Sequence, residues 1–157
     1  MSNESKAENG GSGFWVCPAE EIRSRFMHTM IRVKDLEESL RFYVDVLGMK
    51  VLDRFDVEAR RATALFVGFG GYRDSAVLEI AQKWDQHEPY THGTGYGHIA
   101  LGVPDLPATI ERIEKGGFEV VEKPKVIMAD GPLVAFVRDA DGFVVELIQL
   151  QPADVDR

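Results

Sequence analysis

Apolar and polar positions in this chain follow two different periods, and the switch between them occurs twice. From Phe26 to Val33 the residues are apolar and β-compatible, which predicts a strand. Asp35 stands where a helix N-cap belongs, with Glu38 three residues on as the reciprocal capping-box partner. Leu36, Leu40, Tyr43 and Leu47 recur at helical spacing, and Gly48 ends that helix in the left-handed conformation. Strand-like runs follow at Lys50–Phe55, Arg61–Gly68 and Ser75–Gln82. After a polar loop from Asp85 to Gly93 the order returns. Tyr96–Val103 reads as a strand and Asp105 as a cap. Leu106, Ile110 and Ile113 lie along a helix ending at Gly116-Gly117, and strands follow at Phe118–Glu122, Leu133–Arg138 and Phe143–Gln149. Each half reads β-α-β-β-β.

The repetition extends to individual residues. Counted from His28, a valine lies 5 residues on, an aspartate 7, and leucines 8 and 12. Counted from His98, the same offsets hold Val, Asp, Leu and Ile. Ala64-Leu65-Phe66-Val67 answers Ala135-Phe136-Val137. Each copy closes on a strand with one glutamate: Glu79 lies 51 residues after His28, and Glu146 lies 48 after His98. These agreements, all in the same order, establish an internal duplication.

Each copy therefore offers a histidine on its first strand and a glutamate on its last. Side chains alternate along a strand, so Phe26, His28, Met30 and Arg32 share one face. Val77, Glu79 and Ala81 share a face in the same way, as do Val144, Glu146 and Ile148. A single strand histidine is commonly a hydrogen-bonded structural residue, and a single strand glutamate commonly faces water. The paired recurrence favours another reading. Carboxylates set among apolar neighbours need compensation, because an unpaired buried charge costs several kcal/mol. Two carboxylates and two imidazoles drawn to one point would neutralise a divalent metal. His87 and His92 fall in the polar loop without counterparts and are expected to be exposed. Arg32 faces the same way as His28, and reads either as a strand salt bridge or as an anchor for a substrate carboxylate.

Composition narrows the setting. The chain has 157 residues, 45% of them apolar, enough for one domain or two small ones sharing a sheet. Its net charge of −8 argues against nucleic-acid partners and anionic membranes. The single cysteine, Cys17, rules out an intrachain disulfide and suits a reducing cytosol. No run approaches the roughly 18 apolar residues of a membrane helix, and Met1 to Gly13 lacks the apolar core of a signal peptide. Residues 1–13 read as a disordered tail, and Phe14, Trp15 and Val16 as an apolar island expected to dock on the body. Pro18 precedes a short predicted helix over residues 19–25. A soluble, cytoplasmic protein is expected.

Several stretches resemble glyoxalase I (lactoylglutathione lyase). They are His28-Thr29-Met30-Ile31-Arg32-Val33-Lys34-Asp35-Leu36, Phe42-Tyr43, Val46-Leu47-Gly48-Met49-Lys50, Ala76-Val77-Leu78-Glu79-Ile80 with Trp84, Gly93 to Leu101, and Ala135 to Phe143 leading into Glu146-Leu147-Ile148. The resemblance covers residues 26–150. It implies the α+β vicinal-oxygen-chelate fold, with two βαβββ modules (26–84 and 96–150) forming an open half-barrel sheet around a metal. Residues 1–25 are then an N-terminal extension and 151–157 a C-terminal tail. It implies His28, Glu79, His98 and Glu146 as metal ligands, with nickel or cobalt favoured and zinc possible. A homodimer is implied, each site drawing one His/Glu pair from each chain. The implied chemistry moves the C1 proton of a glutathione hemithioacetal to C2, with Glu146 as base and Glu79 as its counterpart. Arg32, Lys83 and Thr94 fall at substrate-contacting positions. Lys83 stands where the family often has Asn, and Lys123-Pro124-Lys125 through Gly131 is expected to cover the site as a mobile loop.

The same fold also serves acyl-CoA epimerases, extradiol dioxygenases and metal-free binding or resistance proteins. Glu79 disfavours the epimerase, whose second ligand is usually Gln. Four candidate ligands disfavour a dioxygenase, which needs three and open positions.

Overall fold

One βαβββ pattern occurs twice in the computed structural model, which describes residues 18–152. The polar tail, the Phe14–Val16 island, Cys17 and the last five residues lie outside them. The first copy contains β1 (His28–Arg32), α1 (Leu36–Leu40), β2 (Lys50–Val57), β3 (Ala62–Gly68) and β4 (Val77–Lys83). The second contains β5 (Ile99–Val103), α2 (Leu106–Lys115), β6 (Val120–Val126), β7 (Leu133–Arg138) and β8 (Val144–Gln149). They build two four-stranded sheets, ordered β1-β4-β3-β2 and β5-β8-β7-β6. In each sheet the first strand of the module pairs in parallel with the last, and the other neighbours are antiparallel.

Both predicted caps form. Asp35 Oδ1 accepts from the backbone N–H of Glu37 and Glu38 at 2.9 and 3.3 Å, and Asp105 Oδ1 accepts from Ala108 at 2.9 Å. Glu38 does not close the expected capping box. Its carboxylate meets Arg41 at 2.9 Å, a charged partner one turn away.

The first helix departs from its predicted course. After Leu40 it widens into a π-helical turn over Arg41–Val46, with the Leu47 N–H donating to the Phe42 carbonyl five residues back at 3.0 Å. The extra residue turns both Phe42 and Tyr43 into the core, where neither has any exposed surface. A regular helix would carry one of two adjacent bulky rings away from the stripe. Gly48 follows at φ 83°, the left-handed closure expected of it.

Strand limits differ where edges and turns intervene. β1 and β5 begin two and three residues later than predicted, β4 starts at Val77, and the helix expected over 19–25 is a single 3-10 turn at Ala19–Glu21. β6 runs on to Val126, so Lys123, Pro124 and Lys125 belong to a strand rather than to the predicted loop. Pro124 is tolerated because β6 is an edge strand whose pairing to β7 shifts register between Glu122 and Lys125.

One apolar cluster joins the two modules, including Ile31, Val33, Phe42 and Ile80 of the first and Leu106, Ile113, Val145 and Leu147 of the second. Polar ties reinforce it. The Tyr43 hydroxyl donates to Asp139 Oδ2 at 2.8 Å in a buried setting, and the Lys34 N–H donates to Asp141 Oδ1 at 2.8 Å. Arg41 donates to the Gly116 carbonyl at 2.6 Å. Asp139 also accepts from the N–H groups of Asp141 and Phe143 at 3.0 and 2.8 Å, fixing the turn into β8.

Tyr43→Phe is expected to lower stability by about 1–2 kcal/mol in urea unfolding, since it leaves a buried carboxylate short of a donor. Burial raises Asp139 above the ordinary carboxylate range, against the lowering effect of its hydrogen bonds. A group with a raised folded pKa holds its proton more tightly when folded. Its stabilising contribution therefore falls as pH rises from the usual carboxylate value through the raised one. The stability of Asp139→Asn relative to wild type should accordingly improve across that window, as read by unfolding at stepped pH.

Candidate metal centre

The parallel pairings decide where the four predicted ligands stand. Met30 of β1 lies opposite Glu79 of β4, and Ala100 of β5 opposite Glu146 of β8. In each module the histidine is therefore two residues before the strand partner of the glutamate. From that shared register His28 Nε2 comes to 3.1 Å from Glu79 Oε2, and His98 Nε2 to 3.2 Å from Glu146 Oε2. The glutamates are the more enclosed members, with side chains 20% and 14% exposed against 33% and 45% for the histidines.

Each pair rests against a phenylalanine. Phe66 is opposite Glu79 on β3, and Phe136 is opposite Glu146 on β7. The His28 ring meets Phe66 edge-on at 5.4 Å and 77°, and the His98 ring meets Phe136 at 5.7 Å and 71°. The outer strands complete the rows with an acid, Asp53 opposite Phe66 and Glu122 opposite Phe136. The modules thus present two matching half-sites.

Within one chain the four residues stand as two separate pairs. Among the described residues no group of three or more His, Cys, Asp and Glu side chains gathers where it would hold a metal. The physical reason lies in the packing. Each pair belongs to its own sheet, and the sheets join through the apolar cluster behind them rather than through the faces that carry the pairs. Nor do these four residues line the apolar cleft of about 400 Å³ beside Phe26, Met49, Phe69, Leu78 and Ile99.

The remaining candidates are dispersed. Arg32 is exposed and, among the described residues, forms no ion pair or hydrogen bond, so the strand salt bridge weighed for it is absent. Lys83 donates its ammonium to the Arg60 carbonyl at 2.6 Å. Thr94 is exposed in the connection between the modules. His87 is exposed as expected, but His92 is half-buried. Its ring stacks on Phe143 at 3.9 Å and 14°.

Several residues at the site escaped the sequence reading. Phe66 and Phe136 each stand 38 residues after their histidine, a signal available from the repeat itself. Tyr72, in the connection between β3 and β4, packs 6.1 Å from Phe66. Burial raises its phenol, with the Asp53 and Glu79 carboxylates adding to the effect, so it stays protonated beside the first half-site. Tyr96 donates its hydroxyl to the Val144 carbonyl at 2.8 Å, and burial lifts its phenol to about 12.

A family model for the glyoxalase/bleomycin resistance protein/dioxygenase superfamily matches residues 25–147. The chain belongs to this superfamily. A probable lactoylglutathione lyase of Synechocystis sp. is 44% identical over 123 residues, spanning 78% of this chain and 93% of that protein. A lactoylglutathione lyase of Neisseria meningitidis serogroup A is 45% identical over 130 residues, spanning 83% and 94%. Among solved structures, the trypanothione-dependent glyoxalase I of Leishmania major superposes with a TM-score of 0.70 at 37% identity, covering 81% of this chain and 87% of that one. Glyoxalase I of Zea mays gives a TM-score of 0.76 at 31% identity, covering 82% and 45%. Within the superfamily the chain groups with the glyoxalase I enzymes, and its two mixed sheets are the vicinal-oxygen-chelate fold.

Phe66 is 5% exposed and supports both His28 and Tyr72. Phe66→Ala is expected to cost about 3–5 kcal/mol in urea unfolding, and Phe66→Leu only about 1 kcal/mol.

Proposed function

We propose that this chain isomerises the hemithioacetal of methylglyoxal and glutathione to S-D-lactoylglutathione. One site is completed by His28 and Glu79 of one copy with His98 and Glu146 of a second. The observation that carries this reading is the pair of half-sites in one register, on a chain 44% and 45% identical to lactoylglutathione lyases.

The donor set suits a divalent cation. Two neutral imidazole nitrogens and two largely enclosed carboxylates supply N and O ligands and two negative charges. Nickel and cobalt are the favoured ions, and zinc accepts the same donors. When bound, such a cation supplies the Lewis acidity that makes the substrate's C1 proton removable at neutral pH. Glu146, the most enclosed of the four, takes that proton and returns it to C2. The electron pair of the C1–H bond becomes the second bond between C1 and C2, then the new C2–H bond. The C1 hydroxyl proton passes to the C2 oxygen, leaving the lactoyl thioester with no net redox change. Glu79 is the second carboxylate available for these transfers.

Arg32 shares the face of His28 and has no competing ion pair among the described residues, which supports a role in binding a glutathione carboxylate. Lys83 contributes only on leaving the Arg60 carbonyl, and Thr94 from the loop between the modules. No helix of the described residues is long and apolar enough to cross a membrane. A glutathione co-substrate and a single cysteine support a cytoplasmic setting.

Thioester formation should require a metal and return on reloading stripped protein with nickel or cobalt. Glu146→Gln is expected to lower kcat by at least about a hundred-fold. A site shared between copies makes a sharper prediction. His28→Ala/Glu79→Gln chains and His98→Ala/Glu146→Gln chains are each inactive alone. Mixed in equal amounts, they should recover about a quarter of wild-type activity, because each hybrid dimer restores one intact site. No recovery despite hybrid formation would count against the shared site.

A further inference from the structure

We propose that Tyr96 is a positioning residue for the second half-site, its hydroxyl setting the approach of His98 to Glu146. The inference rests on the reading that these two residues are metal ligands. Tyr96 stands two residues before His98, and Val144 two residues before Glu146. The 2.8 Å bond from the Tyr96 hydroxyl to the Val144 carbonyl thus ties the run-in of one ligand to the run-in of the other.

That tie has little local help. β5 begins only at Ile99, so His98 precedes the first ladder pair, Ile99 with Val145. From Gly93 to His98 every residue is exposed except Tyr96. A Cβ built on Gly93, Gly95 or Gly97 would meet nothing within 4 Å, so these glycines add backbone freedom without packing. Tyr96 anchors the stretch through two ring contacts. Its edge packs on Phe143 at 5.0 Å and 73°, and His92 lies 5.9 Å away. Fixing Tyr96 fixes the chain from which the His98 imidazole extends.

The first half-site is built differently. Phe26 occupies the equivalent place before His28, lacks a hydroxyl, and is 71% exposed. In its run-in a backbone bond ties the two strands, the Val77 N–H donating to the Met27 carbonyl at 3.0 Å. Tyr96 thus gives the module that carries the proposed base a side-chain strut for which Phe26 has no hydroxyl.

The test compares wild type, Tyr96→Phe, Ser39→Ala and His98→Ala by chelator competition for nickel, steady-state kinetics and amide exchange. Ser39 is a buried hydroxyl on α1 that donates to the Asp35 carbonyl at 2.9 Å, remote from the ligands in the fold. Tyr96→Phe is expected to weaken nickel binding about ten-fold, within the range for groups that orient metal ligands. It should lower kcat with KM unchanged, and speed amide exchange over residues 95–99 but not in α2. Ser39→Ala should lower thermal stability and leave nickel affinity and kcat unchanged. Nickel affinity in Tyr96→Phe equal to wild type, or an equal loss in Ser39→Ala, overturns the positioning role. Exchange that quickens uniformly across Tyr96→Phe does the same. Wild-type affinity in His98→Ala overturns the ligand reading, and this inference with it.

Discussion

The arrangement depends on the parallel pairing of the first and last strand of each module. Parallel neighbours cannot be joined by a tight turn, so a helix and a two-stranded hairpin must lie between them. That requirement separates each histidine from its glutamate by 51 or 48 residues in sequence while leaving them on adjacent strands. Once the register is set, alternation brings the two side chains within 3.1 or 3.2 Å. A slip of one residue would send the glutamate to the helix-covered face and an apolar neighbour to the open one. Register is resistant to such a slip, because Leu78 and Ile80 flank Glu79 inside the core, and Val145 and Leu147 flank Glu146.

The duplication is close in the sheets and loose in the connections. β3 and β4 are joined by a segment containing two glycines and Tyr72, whereas β7 and β8 are joined by the short turn that Asp139 organises. These differences give the half-sites different surroundings. The first gains a protonated tyrosine beside its phenylalanine; the second gains a turn bolted to the other module through Tyr43. Burying Asp139 is unfavourable in isolation, and three donors compensate it. The same bond holds the back of one module against the other, so both His/Glu pairs face away from the common core.

Much of this was legible in the residues. Period and capping gave the order of elements, because Asp35 and Asp105 act locally and leave a local signature. The His/Glu pairs were legible because duplication repeats them. What escaped was tertiary. The π-helical turn arises from two adjacent rings competing for one core, which helical spacing alone does not foresee. β6 continues through Pro124 because an edge strand forgives a missing donor. His92 looked like one more polar loop residue, yet its ring finds Phe143. The repeat pairs each histidine with a glutamate but is silent on which faces of the modules pack together, so whether one chain or two would close a site was not legible in it.

On the proposed reading, that last point links the metal to assembly. Closing a site brings Glu79 of one copy towards Glu146 of another on chains that each carry a net charge of −8. Without a cation, like charges in an enclosed space oppose the approach; with one, the same carboxylates favour it. A ligand that binds only the assembled state stabilises it in proportion to its concentration over its dissociation constant. Metal affinity and dimer stability are then two views of one equilibrium. The internal ties of each chain, Tyr43 to Asp139 above all, act on that equilibrium without touching the ion, because they fix how far apart the two half-sites sit before a second copy arrives.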